Sequence, residues 1–312
     1  MSLPGLKTSG FFILALVITA IVLLGTNLPA TNHLMFSLQD SGHYLIFALL
    51  TLVVLSRYRD LRRQQLWLLM SLILLFGILV EAAQATIERD PSVYDVLMDI
   101  LGITAGAVIY RFRIKRSLPP NFALLTLLAL SLVAFAMPLY WLTVYQVRAA
   151  QFPRLIDPDR VITRVLTEGS HGVELRHLKI PKDWILPVDL EIENCAYVSL
   201  LDGRWPGVGT HEPESNWQGY ETFDLAIYSD QTKDLSLTLR INDQSHNEQY
   251  DDRYNLRLLA RPGYNHFSFP LSEIAHGPKY RSMDMGDISN VLLFSTHENR
   301  GAGFCLMSME LR

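Results

Sequence analysis

Five apolar runs crowd the first ~150 of the 312 residues, and they restrict what this half of the chain can become. Residues 11–28, 66–80 and 122–144 carry no charge, while residues 42–56 ("GHYLIFALLTLVVLS") and 96–110 ("VLMDILGITAGAVIY") are apolar with isolated polar side chains. With adjoining residues, each approaches the ~20-residue helix that crosses a hydrocarbon core of ~30 Å. The expectation is an α-helical transmembrane bundle of five spans. Lys7 followed by the first run also suits a signal peptide. That run is longer than the 7 to 15 residues usual for a signal core and has no clear A-x-A site, so it is read as a span.

Basic residues set the orientation. "RYRDLRRQQ" (residues 57–65) and "RFRIKR" (residues 111–116) hold four Lys or Arg each, whereas "TNHLMFSLQDSG" holds none and the loop after Gln84 holds Arg89 alone. By the positive-inside rule the basic loops face the cytoplasm. The amino terminus is then cytoplasmic and everything after the fifth span is extracytoplasmic, in a bacterial cytoplasmic (inner) membrane. The net charge of -4 comes without a basic face, which argues against a nucleic-acid partner.

Charges interrupt the oily half at one place. A charge in a membrane segment costs about 2.5 to 3.5 kcal/mol even on lenient scales, so such groups need partners, water or a function. Glu81 lies fifteen residues into the third span, roughly 22 Å up at 1.5 Å per residue. The fourth span enters from outside, carrying Asp95 and Asp99 near its outer end, and His43 opens the second span on that side. Glu81 and Gln84 share one helical face, and Asp95, Asp99, Gly102 and Gly106 form a single stripe. The lower half of the stripe, "GITAG", is a small-xxx-small pattern that admits a close neighbour, which turns the carboxylates toward the bundle. Two readings follow: a functional pocket, or a buried network of salt bridges and caps in which Asp95 caps the helix after "DPS".

These residues carry a resemblance. "DSGHYLIFALL", then "EAAQ", then "RDPSVYDVLMDILGITAG" resembles the VanZ-like family of small bacterial membrane proteins over about residues 11–116. Asp40, His43, Glu81, Gln84, Arg89, Ser92, Asp95, Gly102 and Gly106 match its pattern. The usual Lys after the first Asp is Ser41, and an expected Asn is Asp99; both departures increase local negative charge. The resemblance implies work at the cell envelope, through the family's association with glycopeptide (teicoplanin) resistance, and supplies no established reaction. Asp40, His43, Glu81, Gln84, Arg89, Asp95 and Asp99 form the candidate polar membrane pocket. His43, Glu81, Asp95 and Asp99 are the catalytic candidates if chemistry occurs there, with Glu81 or Asp95 as general base and His43 as acid or metal ligand.

From Gln151 the texture changes to strand-like alternation. "ETFDLAIYS" puts Phe223, Leu225 and Ile227 on one face, and "LSLTLRIND" does the same with Leu235, Leu237, Leu239 and Ile241. About eight short strands, separated by turns such as "RPGYN" and "NRGAG", predict an all-β antiparallel sandwich or jelly roll. The order of strands and turns over about residues 191–312 is similar to galactose-binding-like sandwiches, which include carbohydrate-binding modules. The domains expected are a transmembrane VanZ-like helical domain over 1–148, a connector and lead-in over 149–186, and an extracytoplasmic sandwich over 187–312.

Saccharide contacts call for exposed rings and hydroxyl-bonding polar groups. The loop "NDQSHNEQYDDRYN" offers Asp243, His246, Tyr250, Asp251, Asp252 and Arg253, and Trp205 in "DGRWPG" adds a ring; Trp217 and Tyr220 read as core or strand edge. The loop oxygens also suit a structural calcium, although no EF-hand-type spacing is present. No other cofactor is expected. Cys195 and Cys305 fall in the exported half, where a disulfide is permitted. Cys195 alternates in phase with Asp189, Glu191 and Glu193, whereas Cys305 alternates with Met307, Met309 and Leu311, which favours two unlinked cysteines. No nucleophile elbow, Walker loop, zinc helix or cysteine cluster is present, which places binding ahead of catalysis. The expected function is a membrane-anchored envelope protein engaging a glycan or lipid-linked saccharide. The alternatives are an intramembrane enzyme acting on a lipid-linked precursor and a scaffold for an envelope protein.

Overall fold

The chain divides into two units, Met1–Thr143 and Val144–Arg312. The computed structural model describes residues 6–25, 32–58, 62–84, 92–188, 190, 192–296 and 299–312.

Six helices follow the apolar runs: α1 (Leu6–Gly25), α2 (His33–Arg57), α3 (Arg63–Gln84), α4 (Val93–Ile109), α5 (Pro120–Ala134) and α6 (Ala136–Gln151). Side-chain oxygens fix two of the starts. Asn32 accepts the Met35 N–H at 3.0 Å to open α2, and Ser92 accepts the Tyr94 N–H at 3.1 Å to open α4. The cap considered for Asp95 therefore belongs to Ser92, with Asp95 in the first turn. Gly102 and Gly106 let α4 lie directly on α2: a Cβ at Gly102 would stand 2.5 Å from the Tyr44 carbonyl oxygen, and one at Gly106 would stand 2.4 Å from that of Ala48.

α5 and α6 bend by 53° at Phe135. Pro138 has no N–H to give the Ala134 carbonyl, as the next turn of a straight helix would require. Ser41 of α2 supplies the missing donor, its hydroxyl bonding Ala134 O at 2.7 Å. Five spans were expected. α2, α3 and the helix Val93–Ile114 are long and apolar enough to cross a membrane, and the bent pair makes a fourth if it is one span. In α1 the described apolar stretch is the shorter Gly10–Ile21.

The helical unit leaves much apolar surface exposed, while several polar side chains share its interior with an apolar core. Ser41, His43, Thr51, Glu81, Gln84, Asp95 and Asp99 are buried, while Leu45, Leu49, Trp67, Leu79, Leu124 and Leu125 are all more than half exposed.

The second unit consists of two antiparallel sheets. Its strands are β1 (Arg154–Ile156), β2 (Glu168–Gly169), β3 (Val173–Lys179), β4 (Asn194–Leu200), β5 (Gly207–Thr210), β6 (Thr222–Ser229), β7 (Leu235–Asp243), β8 (Tyr254–Ala260), β9 (Gly263–Pro270), β10 (Ile288–Phe294) and β11 (Gly303–Leu311), with a short helix α7 (Leu271–Ala275). One sheet runs β3-β4-β11-β6-β9, and β1 pairs with the far end of β11 that β4 leaves open; the other runs β2-β5-β10-β7-β8. Residues 149–186, expected as a connector and lead-in, thus supply three strands. The alternations foreseen in β6 and β7 hold, since Phe223, Leu225, Ile227, Leu235, Leu237, Leu239 and Ile241 all enter the core between the sheets. Trp217 is fully buried there, its indole N–H bonded to Glu214 O at 2.8 Å, and Tyr220 packs against the same core.

The cysteine expectation is overturned. Cys195 and Cys305 form a disulfide with Cα atoms 5.6 Å apart. Asp189 and Glu191 lie outside the described residues, and β4 begins only at Asn194, so a strand phase counted from those acids does not extend to Cys195. In β11 the register shifts between Leu306 and Ser308, and the bulge reverses the alternation. Met309 and Leu311 enter the inner core, whereas Cys305 and Met307 join Cys195 and Ala226 on the opposite face, covered by Trp184, Leu186 and Ile192.

Candidate functional site

The helices bring together most of the polar residues foreseen in the oily half. His43 Nδ1 and Asp99 Oδ1 are 3.0 Å apart, with both side chains buried. Gly77 of α3 makes room for that carboxylate, since a Cβ there would stand 2.2 Å from Asp99 Oδ2. Asp95 and Glu81 lie within electrostatic range of the same histidine. Glu81 also accepts the Ser92 N–H, so it places a negative charge at the amino-terminal end of α4, where the helix dipole favours one. Gln84 donates to Leu23 O at 3.2 Å, and its own amide oxygen, fully buried, has no hydrogen-bond partner among the described residues. Asp40 is half-buried one turn before His43. Arg89 lies outside the described residues. The arrangement can hold or pass a proton between His43 and Asp99. Among the described residues no group of three or more His, Cys, Asp or Glu is disposed to hold a metal ion.

In the second unit, the loop between β7 and β8 divides its residues between two tasks. Asp243 and Asp252 are buried and gripped by Arg281, which sequence reasoning passed over. Arg281 donates to both Asp243 oxygens at 2.5 and 2.7 Å and to both Asp252 oxygens at 2.5 and 3.1 Å. The Asp284 N–H adds a bond to Asp243 at 2.7 Å, and the Asn247 N–H adds one to Asp252 at 2.9 Å. Hydrogen bonds from Arg281 and from Asn247 hold the Asp252 carboxyl down to about 2. Burial pushes Asp243 upward, but the bonds from Arg281 and Asp284 outweigh it and leave that carboxyl below its usual value. His246 is drawn into the same knot, its Nδ1 2.9 Å from Asp252 O. These three candidates therefore organise the loop instead of facing outward.

What they organise is an open cleft of about 540 Å³ lined by Ser245, Asn247, Gln249, Tyr250, Asp251 and Tyr280, with Asp252 and Arg281 in its wall. Tyr250 is 68% exposed and Tyr280 81% exposed, so two rings flank a set of amides, a hydroxyl and a carboxylate. Tyr280 was missed because it stands between Lys279 and Arg281 in a stretch without alternation. Arg253 lies with its guanidinium carbon 5.3 Å from the centre of the Tyr250 ring. Trp205 is exposed but belongs elsewhere. It adjoins β5 at Gly207, which pairs with Phe294 at one end of β10, whereas Asp243 pairs with Ile288 at the other end. Six residues of strand separate those ends by roughly 20 Å.

No family model and no curated protein matches this chain, so the VanZ-like resemblance rests on its own residues. Solved structures do align with it. A family 11 carbohydrate-binding module from Clostridium thermocellum, in complex with a β-1,3-1,4-mixed-linked tetrasaccharide, is 13% identical over 46% of this chain and 86% of that one, with a TM-score of 0.34. The CBM22-1 xylan-binding domain from Paenibacillus barcinonensis Xyn10C is 12% identical over 47% and 84%, with a TM-score of 0.31. An exo-β-agarase is 10% identical over 47% of this chain and 23% of the enzyme, with a TM-score of 0.37. At TM-scores this low the likenesses bear on neither ligand nor site.

Proposed function

We propose that this chain is an integral protein of the bacterial cytoplasmic membrane, VanZ-like in its helical half, whose extracytoplasmic β-sandwich binds an envelope glycan or the saccharide of a lipid-linked precursor. The observation that carries the saccharide reading is the cleft between Tyr250 and Tyr280, where two exposed rings flank Ser245, Asn247, Gln249 and Asp251. Rings offer an apolar face to the carbon side of a sugar, and the amides, hydroxyl and carboxylate exchange hydrogen bonds with its hydroxyls. The apolar exterior of the helical unit supports the membrane reading, because so much exposed apolar surface is disfavoured in water and suited to lipid. Five spans and the basic loops at residues 57–65 and 111–116 would put the amino terminus in the cytoplasm and the sandwich outside.

The test is calorimetric titration of the full chain in lipid nanodiscs with a panel of bacterial glycans. Tyr250→Ala and Tyr280→Ala are each expected to weaken a saturable hit by about tenfold, which is about 1.4 kcal/mol. Silence across the panel from folded protein would reject the saccharide reading.

A second reading, an intramembrane enzyme acting on a lipid-linked precursor, is favoured by the buried His43–Asp99 pair, which has the geometry of an oriented acid or base. In that case Asp99→Asn abolishes turnover of the precursor while the protein still folds. An unchanged rate would exclude the pair from chemistry.

A further inference from the structure

The outward face of the β2-β5-β10-β7-β8 sheet holds a set of side chains that neither the cleft nor the Arg281 knot uses. Leu239, Ile241, Val291 and Leu293 point into the core, so their strand neighbours point away from it. The register aligns Arg240 of β7 with Asn255 of β8 on one side and Leu292 of β10 on the other, and Leu292 in turn with Gly209 of β5. One step along, Asn242 of β7 faces Asn290 of β10. Arg253, which precedes the inward Tyr254, joins this face close enough to Arg240 for the two charges to repel.

Several polar groups here lack partners. Arg253 Nε, Asn255 Oδ1 and Asn290 Oδ1 are buried with no hydrogen bond among the described residues. The nitrogens of both amides are engaged: Asn255 Nδ2 donates to Tyr250 O at 3.2 Å, and Asn290 Nδ2 meets His211 Nδ1 at 2.7 Å. Among the described residues Arg240 has one side-chain hydrogen bond, from Nε to Asn242 Oδ1 at 3.1 Å, and pairs with Glu248, 3.8 Å from Nη2 on a side chain 83% exposed. Burial holds both guanidinium groups below their ordinary pKa, and Arg253 lowers Arg240 further. Two partly desolvated arginines thus share one solvent-exposed counter-charge, Glu248. Buried polar groups in folded proteins are nearly always satisfied by protein, water or ligand, so the pattern calls for an occupant.

The orphan set specifies that occupant's chemistry. Arginine N–H groups require an acceptor, best an anionic oxygen that two guanidinium groups can share. Amide oxygens require a donor, which a hydroxyl supplies. From this we infer that the saccharide engaged by the sandwich is an anionic one, bearing a carboxylate or phosphate that binds between Arg240 and Arg253 while its hydroxyls donate to Asn255 and Asn290. The inference rests on the saccharide reading and extends it: Arg253, packed on the Tyr250 ring, links this face to the cleft. Glu248 acts as the gate charge that the ligand's anion displaces.

The experiment is calorimetric titration of the full chain in nanodiscs with three probes: a uronic-acid oligosaccharide, the same oligosaccharide with its carboxyl groups reduced to alcohols, and a glycerol-phosphate oligomer. At least one anionic probe is expected to bind about tenfold more tightly than the neutral one and to weaken as salt rises. The carboxylate and phosphate arms separate the two sources of charge. Arg253→Gln and Arg240→Gln should remove the preference, and Glu248→Gln should strengthen binding of the anionic probe. Arg253 makes no hydrogen bond among the described residues, so Arg253→Gln decides the matter even if Arg240→Gln unfolds. Equal binding of neutral and anionic probes, or an anionic preference indifferent to Arg253→Gln, overturns the inference and leaves the saccharide reading standing. Absence of binding by all three probes and by the wider glycan panel, from folded protein, overturns both.

Discussion

Replacing Arg281 by Gln strips two carboxylates of their partner at one stroke, and the cost can be worked from the structure. The Asp243 side chain is fully buried, and Arg281 meets both of its oxygens. Removing one partner of a buried pair costs about 3 to 5 kcal/mol, because the remaining charge stays out of water. The low end applies here, since the Arg281 side chain is 28% exposed and water can follow the glutamine in. Asp252 forms the cleft wall and is left out of the sum. For a unit of this size about 1 kcal/mol moves the midpoint by 2 to 4 °C, so the loss of about 3 kcal/mol lowers it by about 6 to 12 °C. Scanning calorimetry of the full chain at pH 7 reads this directly. Acid supplies a second reading. Both carboxyls are held below their ordinary values in the folded state, Asp252 at about 2, so the unfolded chain takes up protons first as the pH falls. Their contribution is complete above the ordinary carboxylate range near ~4 and is lost progressively as the pH falls below it. The gap between wild type and Arg281→Gln must therefore narrow as the pH falls below that range. A midpoint shift under about 2 °C at pH 7, or a gap that persists unchanged in acid, would refute the clamp.

Three further outcomes follow from particular contacts. Ser41→Ala leaves the Ala134 carbonyl without the donor that Pro138 cannot provide, and should cost the helical unit about 1 to 3 kcal/mol in a detergent-unfolding titration; an unchanged midpoint would show that another donor serves the bend. Gly102→Leu cannot be accommodated against the Tyr44 carbonyl, where even a Cβ would stand at 2.5 Å. Overpacking of about 1 to 3 kcal/mol or more should separate α2 from α4, visible as lost protection of both in hydrogen exchange. The double change Cys195→Ala with Cys305→Ala removes a bridge spanning 110 residues and should lower sandwich stability by about 2 to 5 kcal/mol in urea, an effect that reductant mimics only once the sandwich opens, because both sulfurs are buried.

Where the fold was legible, a single strand or helix contained the whole signal. Alternation in "LSLTLRIND" identified the inward face of β7 without help from any neighbour. The stripe from Asp95 to Gly106 told that α4 would meet a helix closely, although which helix awaited the contact with Tyr44 and Ala48. The reading failed where the physics lies between segments. Counting by twos through β11 put Cys305 in phase with Met309, because a bulge leaves no mark in its own strand and declares itself only in the register with β6. β1 and β2 hold three and two residues, too few for a period, and earn their place through pairing with β11 and β5.

The site shows the same division more sharply. A loop rich in Asp, His, Tyr and Arg drew attention as a binding loop, yet composition cannot say which of its groups are already spent. Arg281 stands 29 positions beyond Asp252 and turns two apparent ligand contacts into scaffold. The outward face of the sheet was harder still to foresee. Arg253 was foreseen with its loop, but Arg240, Asn255 and Asn290 come from three different strands, each contributing a polar residue that reads alone as ordinary surface. Only the register sets them side by side, and only the hydrogen-bond pattern distinguishes satisfied atoms from orphaned ones. Mutating the conspicuous acids Asp243 and Asp252 would consequently damage folding and binding together and could not separate the two. Arg253 can separate them, because its loss removes a charge from the face without removing a hydrogen bond from the fold.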